Sequence, residues 1–233
     1  MFKQFFWNLY AQVYDSLFSL RPYRRMLEEV VEQAAIEPGM RVLDLGCGSG
    51  NLELVLITQG IDCQVTGVDY SAAMLRRARK KCRNTDWNFV QGDLTQLADI
   101  LSGLPPFDRV ISTNVLYAIA EPESLLKAAK ASMKPGAIGV HTTPAKHFQW
   151  KEVLRLHLRD AHAGHYLRML SLLPQLVLVL VLNLLLFKKE TQQTYHFHTE
   201  AEIADLFAAA GFNYAAISRT YADQDWLIKA QNR

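Results

Sequence analysis

Short apolar runs alternate with longer segments of helical periodicity through most of the 233 residues. The runs are bounded by glycine, proline or acidic residues, as strands of a buried sheet commonly are. The predicted strands are 41–45, 64–69, 89–91, 109–113, 137–142, 212–221 and 225–231. The predicted helices are 23–35, 51–59, a basic helix after Ser71, 95–101, 123–133 and 200–210. This alternation predicts an α/β fold.

The first residues follow an amphipathic helical pattern. Apolar residues recur at helical spacing with polar residues between them: Phe2, Phe5, Phe6, Leu9, Val13 and Leu17. A secretory signal peptide would have an uninterrupted apolar core instead. Residues 1–37 are therefore interpreted as amphipathic helices that pack on the domain, form a lid, or place aromatic side chains in a membrane interface. Arg21-Pro22 is predicted to be a turn.

Residues 145–190 depart from the strand–helix alternation. The stretch 145–189 has seven Lys and Arg against two Asp and Glu, and Lys151, Arg155 and Arg159 fall on one helix face. The apolar run 170–187 would be about 27 Å long as a helix, slightly short of the roughly 30 Å hydrocarbon core of a membrane. We therefore expect a basic and apolar helical insertion at a membrane interface, with a lid or a dimer interface as alternatives.

A glycine loop follows the first predicted strand, with Gly46, Gly48 and Gly50 at alternate positions before the helix 51–59. Such a loop brings backbone N–H groups close to a ligand at the carboxyl end of a strand. The third glycine of the dinucleotide fingerprint is missing, and no P-loop Gly-Lys-Ser/Thr follows. Asp44, two residues before the loop, would repel a pyrophosphate but hold an ammonium group. The loop therefore favours a ligand with a cationic amino-acid end.

Five motifs in one order resemble the class I S-adenosylmethionine-dependent methyltransferases. They span roughly residues 38–144: Asp44–Gly50, Val65–Asp69, Phe89–Leu94, Phe107–Asn114 and the Met133–Gly136 turn before the fifth strand. The resemblance implies a Rossmann-like seven-stranded sheet of order 3-2-1-4-5-7-6. Its last strand is antiparallel, helices cover both faces, and the insertion lies between strands 5 and 6. The implied organisation has four parts. Residues 1–37 are the N-terminal amphipathic helices, 38–144 the cofactor-binding core, 145–190 the insertion, and 191–233 a closing helix and strand hairpin.

The resemblance also implies S-adenosyl-L-methionine as cofactor. The cofactor-binding candidates are Asp44, Gly46, Cys47, Gly48, Asp69, Tyr70, Asp93, Leu94, Asn114 and Tyr14. Asp69, at the end of the second strand, is expected to accept from the ribose hydroxyls. By resemblance Asp93 meets the adenine amino group, with capping of the next helix as the alternative, and Tyr14 covers the methionine end. Tyr117 and His141 are the catalytic candidates.

Charge and cysteine spacing limit the classes of ligand and partner expected for this chain. The net charge is +2, which does not suggest nucleic acid, and we read the basic run 76–81 as a solvated helix face. Cys47, Cys63 and Cys82 lack metal-ligand spacing, so we expect reduced thiols and no metal.

The resulting hypothesis is a cytoplasmic methyltransferase, peripheral on the inner face of the membrane. Its acceptor would be lipophilic: a phospholipid or aminolipid headgroup, a quinone or an isoprenoid. The main alternative is a soluble methyltransferase of a small metabolite, with the insertion as lid. Transfer of another cofactor group and a non-catalytic scaffold are further alternatives, and the oligomeric state stays open.

Overall fold

The computed structural model describes residues 9–146, 149–159, 174–179, 181–182 and 195–232. Seven strands form one sheet of order β3-β2-β1-β4-β5-β7-β6. Their bounds are β1 Met40–Leu45, β2 Cys63–Asp69, β3 Asn88–Gln91, β4 Phe107–Thr113, β5 Met133–Pro144, β6 Tyr214–Thr220 and β7 Asp225–Gln231. Neighbouring strands among β1 to β5 pair in parallel, and β7 runs antiparallel to both β5 and β6. The predicted order and the antiparallel last strand are confirmed.

Helices connect the strands. They are α1 Arg21–Ala34, α2 Asn51–Thr58, α3 Ala72–Lys81, α4 Leu97–Ile100, α5 Pro122–Ala131, α6 Trp150–Arg159 and α7 Glu200–Ala209. Three 3-10 turns occur at Tyr14–Ser19, Leu94–Gln96 and Leu116–Ala118. Ser71 caps α3 by accepting from Met74 N at 3.3 Å. A capping box between Thr199 and Glu202 opens α7, as its sequence predicts.

Three local predictions need correction. Arg21 and Pro22 are not a turn but the start of α1, where proline is tolerated because the first N–H groups have no helical partner. The segment 95–101 is a 3-10 turn followed by the short α4. Met133–Gly136 belongs to β5 rather than to a preceding turn. Its pairing with β4 shifts register between Phe107 and Arg109, so the extra residues are absorbed as a bulge.

The sheet has a hydrophobic cluster on each face. Side chains alternate along a strand, so Val42 belongs to one cluster while Leu43 and Leu45 belong to the other. The first cluster includes residues of α1, α2 and the N-terminal turn, and the second includes residues of α5 and α7. Both clusters are buried, which holds the carboxyl ends of β1, β2 and β4 in a fixed arrangement.

The described helices of the insertion pack on the first cluster. In α6, Val153 and His157 are buried, while Lys151, Arg155 and Arg159 are exposed, as the predicted basic face requires. Residues 174–179 and 181–182 are also helical. The remainder of the apolar run 170–187, and residues 1–8 of the amphipathic pattern, lie outside the described residues. In the part of the chain that can be assessed, no helix is both long and apolar enough to cross a membrane.

Candidate functional site

The glycine loop is wedged between β2 and β4. Gly46 N and Cys47 N donate to Val68 O at 2.7 and 3.1 Å, which ties the loop to β2. Gly46 has a φ of +73°, and a Cβ there would lie 2.4 Å from Val115 Cγ2. A side chain at this position would therefore be strained and would also collide with the segment after β4.

A cavity of about 240 Å3 opens at the carboxyl ends of the parallel strands. Eight of the ten predicted cofactor-binding residues line it: Tyr14, Gly46, Gly48, Asp69, Tyr70, Asp93, Leu94 and Asn114. A larger cavity of about 520 Å3 lies between the N-terminal segment and the basic face of α3. We place the site in the smaller one, because open α/β sheets bind ligands beyond the carboxyl ends of their strands.

Asp69 is held in place by two backbone donors. Gly48 N donates to its Oδ2 at 2.9 Å and Ser71 N donates to its Oδ1 at 2.7 Å. Burial raises the pKa of Asp69 to about 6, although the two backbone donors act in the opposite direction. Each oxygen keeps a lone pair, so this carboxylate fits a pair of ribose hydroxyls.

Asp93 caps a helical turn and also lies on the cavity wall. Its Oδ1 accepts from Thr95 N at 3.0 Å and from Thr95 Oγ1 at 2.9 Å, so it caps the 3-10 turn before α4. It also lines the cavity, and its other oxygen takes no part in these contacts. The capping bonds orient the side chain, which leaves the second oxygen for an amino group of the ligand.

Asp44 and Cys47 lie behind the cavity wall. Asp44 is fully buried, and neither of its carboxylate oxygens has a hydrogen-bond partner. The Cys47 thiol packs into a small apolar cluster with Leu75 and Phe89, and burial raises its pKa well above the ordinary value. The Cys47 thiol is therefore part of the packing behind the loop, and its backbone N–H and C=O are bonded to Val68 and Gly50.

The geometry does not support the two catalytic candidates. His141 Nδ1 is 2.8 Å from Ser112 Oγ, and its ring packs edge-on against Phe207. Burial lowers its pKa to about 3, so the imidazole stays neutral. Tyr117 stacks on Phe197 with ring centroids 5.5 Å apart. Neither side chain lines the cavity, because each is directed into the packing between layers.

Asn114 is held by groups far away in the sequence. It has a φ of +56°, in the left-handed region that a non-glycine residue rarely adopts. Its Nδ2 donates to Asp225 Oδ2 at 2.8 Å, and Thr142 Oγ1 donates to its Oδ1 at 3.2 Å. Sequence analysis did not identify Asp225, because this residue lies 111 residues after Asn114 and no motif surrounds it.

The N-terminal segment is fastened over the glycine loop. Asp15 Oδ1 accepts from Ser49 Oγ at 2.5 Å and from Lys81 Nζ at 2.6 Å, and Arg77 Nη1 donates to its Oδ2 at 3.0 Å. Tyr14 OH is 3.0 Å from Tyr23 OH, and Tyr14 lines the cavity beside Gly48. Asp15 therefore anchors the N-terminal segment, and the adjacent Tyr14 covers the glycine loop.

Comparisons with known proteins identify the family of this chain. A family model described as a methyltransferase domain matches residues 18–217. Trans-aconitate 2-methyltransferase of Azoarcus sp. (strain BH72) is 29% identical over 114 residues, which are 49% of this chain and 43% of that protein. Cyclopropane-fatty-acyl-phospholipid synthase of Escherichia coli (strain K12) is 29% identical over 123 residues, 52% of this chain and 30% of that protein. The chain thus matches less than half the length of these relatives.

Solved structures show the same fold. The structure of Haemonchus contortus phosphoethanolamine N-methyltransferase 2 with S-adenosyl-L-methionine has a TM-score of 0.64 at 15% identity. The match covers 95% of this chain and 56% of that one. The buried carboxylates and the glycine loop fit this cofactor, since Asp69 suits its ribose and the unpartnered oxygens of Asp44 suit a cation. The chain belongs to the class I S-adenosylmethionine-dependent methyltransferases, and S-adenosyl-L-methionine is its cofactor.

Proposed function

We propose that this methyltransferase acts on a lipophilic acceptor at a membrane surface. The observation that carries the proposal is the pair Val177 and Val181, which are 52% and 45% exposed on a helical segment of the insertion. On the same segment Val179 and Leu182 are only 4% and 3% exposed, within the cluster that contains α1 residues. A segment that is apolar both toward the domain and toward solvent favours contact with a second apolar phase.

The basic face of α6 adds an electrostatic contribution. Lys151, Arg155 and Arg159 are exposed there, and Val153 of the same helix joins the cluster that holds Val179. An unneutralised cation near an anionic lipid surface contributes about 1 kcal/mol, and Arg155 contributes less because it is paired with Glu152 at 2.7 Å. Each newly buried valine would add up to roughly 1.5 kcal/mol. Contributions of this size support reversible, peripheral attachment to a membrane, in line with a cytoplasmic protein on the inner face of the membrane.

The chain's own residues have separable tasks in the transfer. When bound, the cofactor supplies a methyl group on a cationic sulfur. Asp69 and Asp93 hold the nucleoside, and Tyr14 excludes water from the glycine loop. Among the residues described on the cavity wall there is no histidine or lysine.

The alternative is a soluble enzyme for a small metabolite. One relative is named for trans-aconitate and the other for a fatty-acyl phospholipid, so the relatives include both acceptor types. Burial of Val179 and Leu182 on the domain favours this alternative, because a lid must pack on the body that it closes. Family membership favours methyl transfer over transfer of another cofactor group or a scaffold role.

Flotation with liposomes distinguishes the two acceptor types. The full chain is mixed with anionic or with neutral vesicles, as wild type and as the double variant Val177→Asp/Val181→Asp. The matched control is Ile57→Asp/Leu104→Asp, which changes two other apolar residues that are 38% and 40% exposed. We expect wild type and control to float with anionic vesicles. We expect the 177/181 variant to remain at the bottom of the gradient.

A parallel assay follows methyl transfer from labelled cofactor into a lipid extract and into a mixture of water-soluble acids. We expect the wild-type protein to transfer label into the lipid fraction. We expect the Val177→Asp/Val181→Asp variant to transfer less. Wild-type protein that does not float and labels only water-soluble acids would contradict the proposal and support the lid.

A further inference from the structure

Two carboxyl groups meet beneath the glycine loop with no partner to neutralise them. Asp44 lies in β1 and Glu53 in the first turn of α2, and both are 0% exposed. When both groups are ionised, none of the four carboxylate oxygens has a hydrogen-bond partner. A hydrogen bond can form between them only when one of the two carries a proton. Buried polar atoms are nearly always paired, so an unpaired set of this size requires an explanation.

The nearest cation is already engaged elsewhere. Lys81 attracts Glu53 electrostatically. Its three donors, however, are used by Asp15 at 2.6 Å, Asn51 at 2.6 Å and Ser49 at 3.1 Å. An ammonium group has only three N–H bonds, so Lys81 has none left for the pair.

The other groups that face the pair do not supply positive charge. Asp69, from β2, adds repulsion to both carboxyls. Cys47 stays neutral because burial and the neighbouring carboxyls raise its pKa. Tyr23, from α1, also stays neutral, since burial raises its pKa to about 12.

Burial and mutual repulsion therefore favour a shared proton on the pair in the absence of a ligand. Burial, followed by the neighbouring Glu53, raises the pKa of Asp44 well above its ordinary range. Burial likewise raises the pKa of Glu53 to about 7. Two buried carboxyl groups at close range disfavour double ionisation, so they titrate as one unit.

A second unpartnered group lies at the start of the same helix. Asn51 is 3% exposed, and its Nδ2 is buried without a hydrogen-bond acceptor. Unpaired acceptors and an unpaired donor thus occur together beside the loop. The methionine end of the cofactor carries the complementary set, because its ammonium group donates and its carboxylate accepts.

We propose that Asp44 and Glu53 act as one proton-sharing pair, and that this pair exchanges its proton for the ammonium group of the cofactor. Glu53 is then a further cofactor-binding residue, outside the glycine loop itself. No covalent bond changes in the exchange. The ammonium N–H groups donate to the carboxylates, and the displaced proton passes to solvent. The inference depends on the cofactor and not on the acceptor or the membrane.

Proton release on binding provides a direct measurement. Below the pKa of the pair the ligand must displace a proton, so affinity should rise about tenfold between pH 5.5 and 6.5 and level off above pH 7. Calorimetric titration with S-adenosylhomocysteine at pH 6.5, in buffers of different ionisation enthalpy, counts the protons released. We expect close to one proton from the pair in the wild type.

A second ligand separates the pair from Asp69, whose pKa of about 6 lies in the same range. 5′-Methylthioadenosine carries the ribose and adenine without the amino-acid end. We expect it to release about one proton fewer than S-adenosylhomocysteine does. This comparison uses wild-type protein, so it holds even if variants of the pair fail to fold.

Glu53→Gln removes one member of the pair at constant shape. We expect the proton released with S-adenosylhomocysteine to fall to the value seen with 5′-methylthioadenosine, and the pH dependence of its affinity to fall to that of 5′-methylthioadenosine. Glu32→Gln, at an exposed position of α1, is the matched control and should behave as wild type. Equal proton release by the two ligands, or an unchanged count in Glu53→Gln, would overturn the proposal. Failure to bind S-adenosylhomocysteine at any pH would overturn it as well, whereas failure of the membrane proposal would leave this assay unaffected.

Discussion

Replacing Asp225 by asparagine should stabilise the folded protein at alkaline pH. Asp225 is 0% exposed, and its Oδ1 has no hydrogen-bond partner. Its Oδ2 accepts from Asn114 Nδ2 at 2.8 Å, and an asparagine oxygen at the same position would still accept that bond. The substitution therefore removes the charge while keeping the contact that positions Asn114.

The size of the effect follows from the pKa of this carboxyl. Burial raises it from 3.8 to about 7, against the opposing influences of Asn114 and Arg219. Because the folded pKa is the higher one, the stability contributed by the proton is complete below pH 3.8 and is lost as pH rises through about 7. The rise corresponds to roughly 4 kcal/mol lost above pH 8. The unpartnered amide N–H₂ of the new asparagine would cost about 1 kcal/mol or more.

The net gain at pH 8 should be roughly 2–3 kcal/mol, or about 4–12 °C in melting temperature for a chain of this size. At pH 5 the gain should vanish or change sign, because Asp225 is then protonated in the folded state. Thermal and urea unfolding across pH 5–8.5 measure both values. Asp223→Asn is the matched control, since it removes a charge from an exposed position of the same turn.

A stability difference that does not change with pH, or a loss of stability at pH 8, would refute this reasoning. It would mean that the carboxylate is solvated or paired in the folded protein. An equal gain in Asp223→Asn would show that the general charge balance, and not burial, is responsible.

Further predictions concern the loop, the last helix and the cofactor. Gly50→Ala should destabilise by roughly 2 kcal/mol or more, because its φ is +78° and a Cβ would lie 3.0 Å from Ala78 Cα. Gly60→Ala has a similar φ of +67° but open space around the Cβ, so it should lose only about 1 kcal/mol; equal losses in urea unfolding would contradict the steric argument. Thr199→Ala removes the capping hydroxyl of α7 and should cost about 1 kcal/mol in the same assay, and an unchanged midpoint would show that water replaces the cap. Asp69→Ala should weaken S-adenosylhomocysteine binding by at least tenfold in calorimetry, and wild-type affinity would exclude Asp69 from the ribose contact.

Local pattern was sufficient for the cofactor side of the site. Gly46 directly follows the first predicted strand, Asp69 ends the second, and Asp93 lies two residues after the third. The carboxyl ends of parallel strands meet at one edge of the sheet, so the position of a residue in sequence already determined its position at that edge. This is why residues at the ends of the predicted strands line the cavity, whereas the strand order was implied by the resemblance of five motifs to a known family.

The side-chain environments were not predictable in this way. His141 lies near the carboxyl end of β5, as expected, but the alternation of that strand directs its ring to Phe207 and away from the cavity. Glu53 reads as an ordinary first-turn glutamate of a helix, and only the packing of α2 against β1 brings it to Asp44. Its burial, which changes its chemistry, is not encoded in its immediate neighbours.

The sequence by itself determined the α/β architecture, the strand order, the cofactor and the residues at the ends of the first three strands. The α/β architecture depends on hydrophobic periodicity, whereas the strand order and the cofactor were implied by the resemblance of five short motifs to a known family. Only the tertiary structure decided that Asp225 holds Asn114, that Glu53 faces Asp44 and that Val177 and Val181 are left exposed. Contacts between distant segments, and the desolvation that they impose on charged groups, depend on how whole layers pack together.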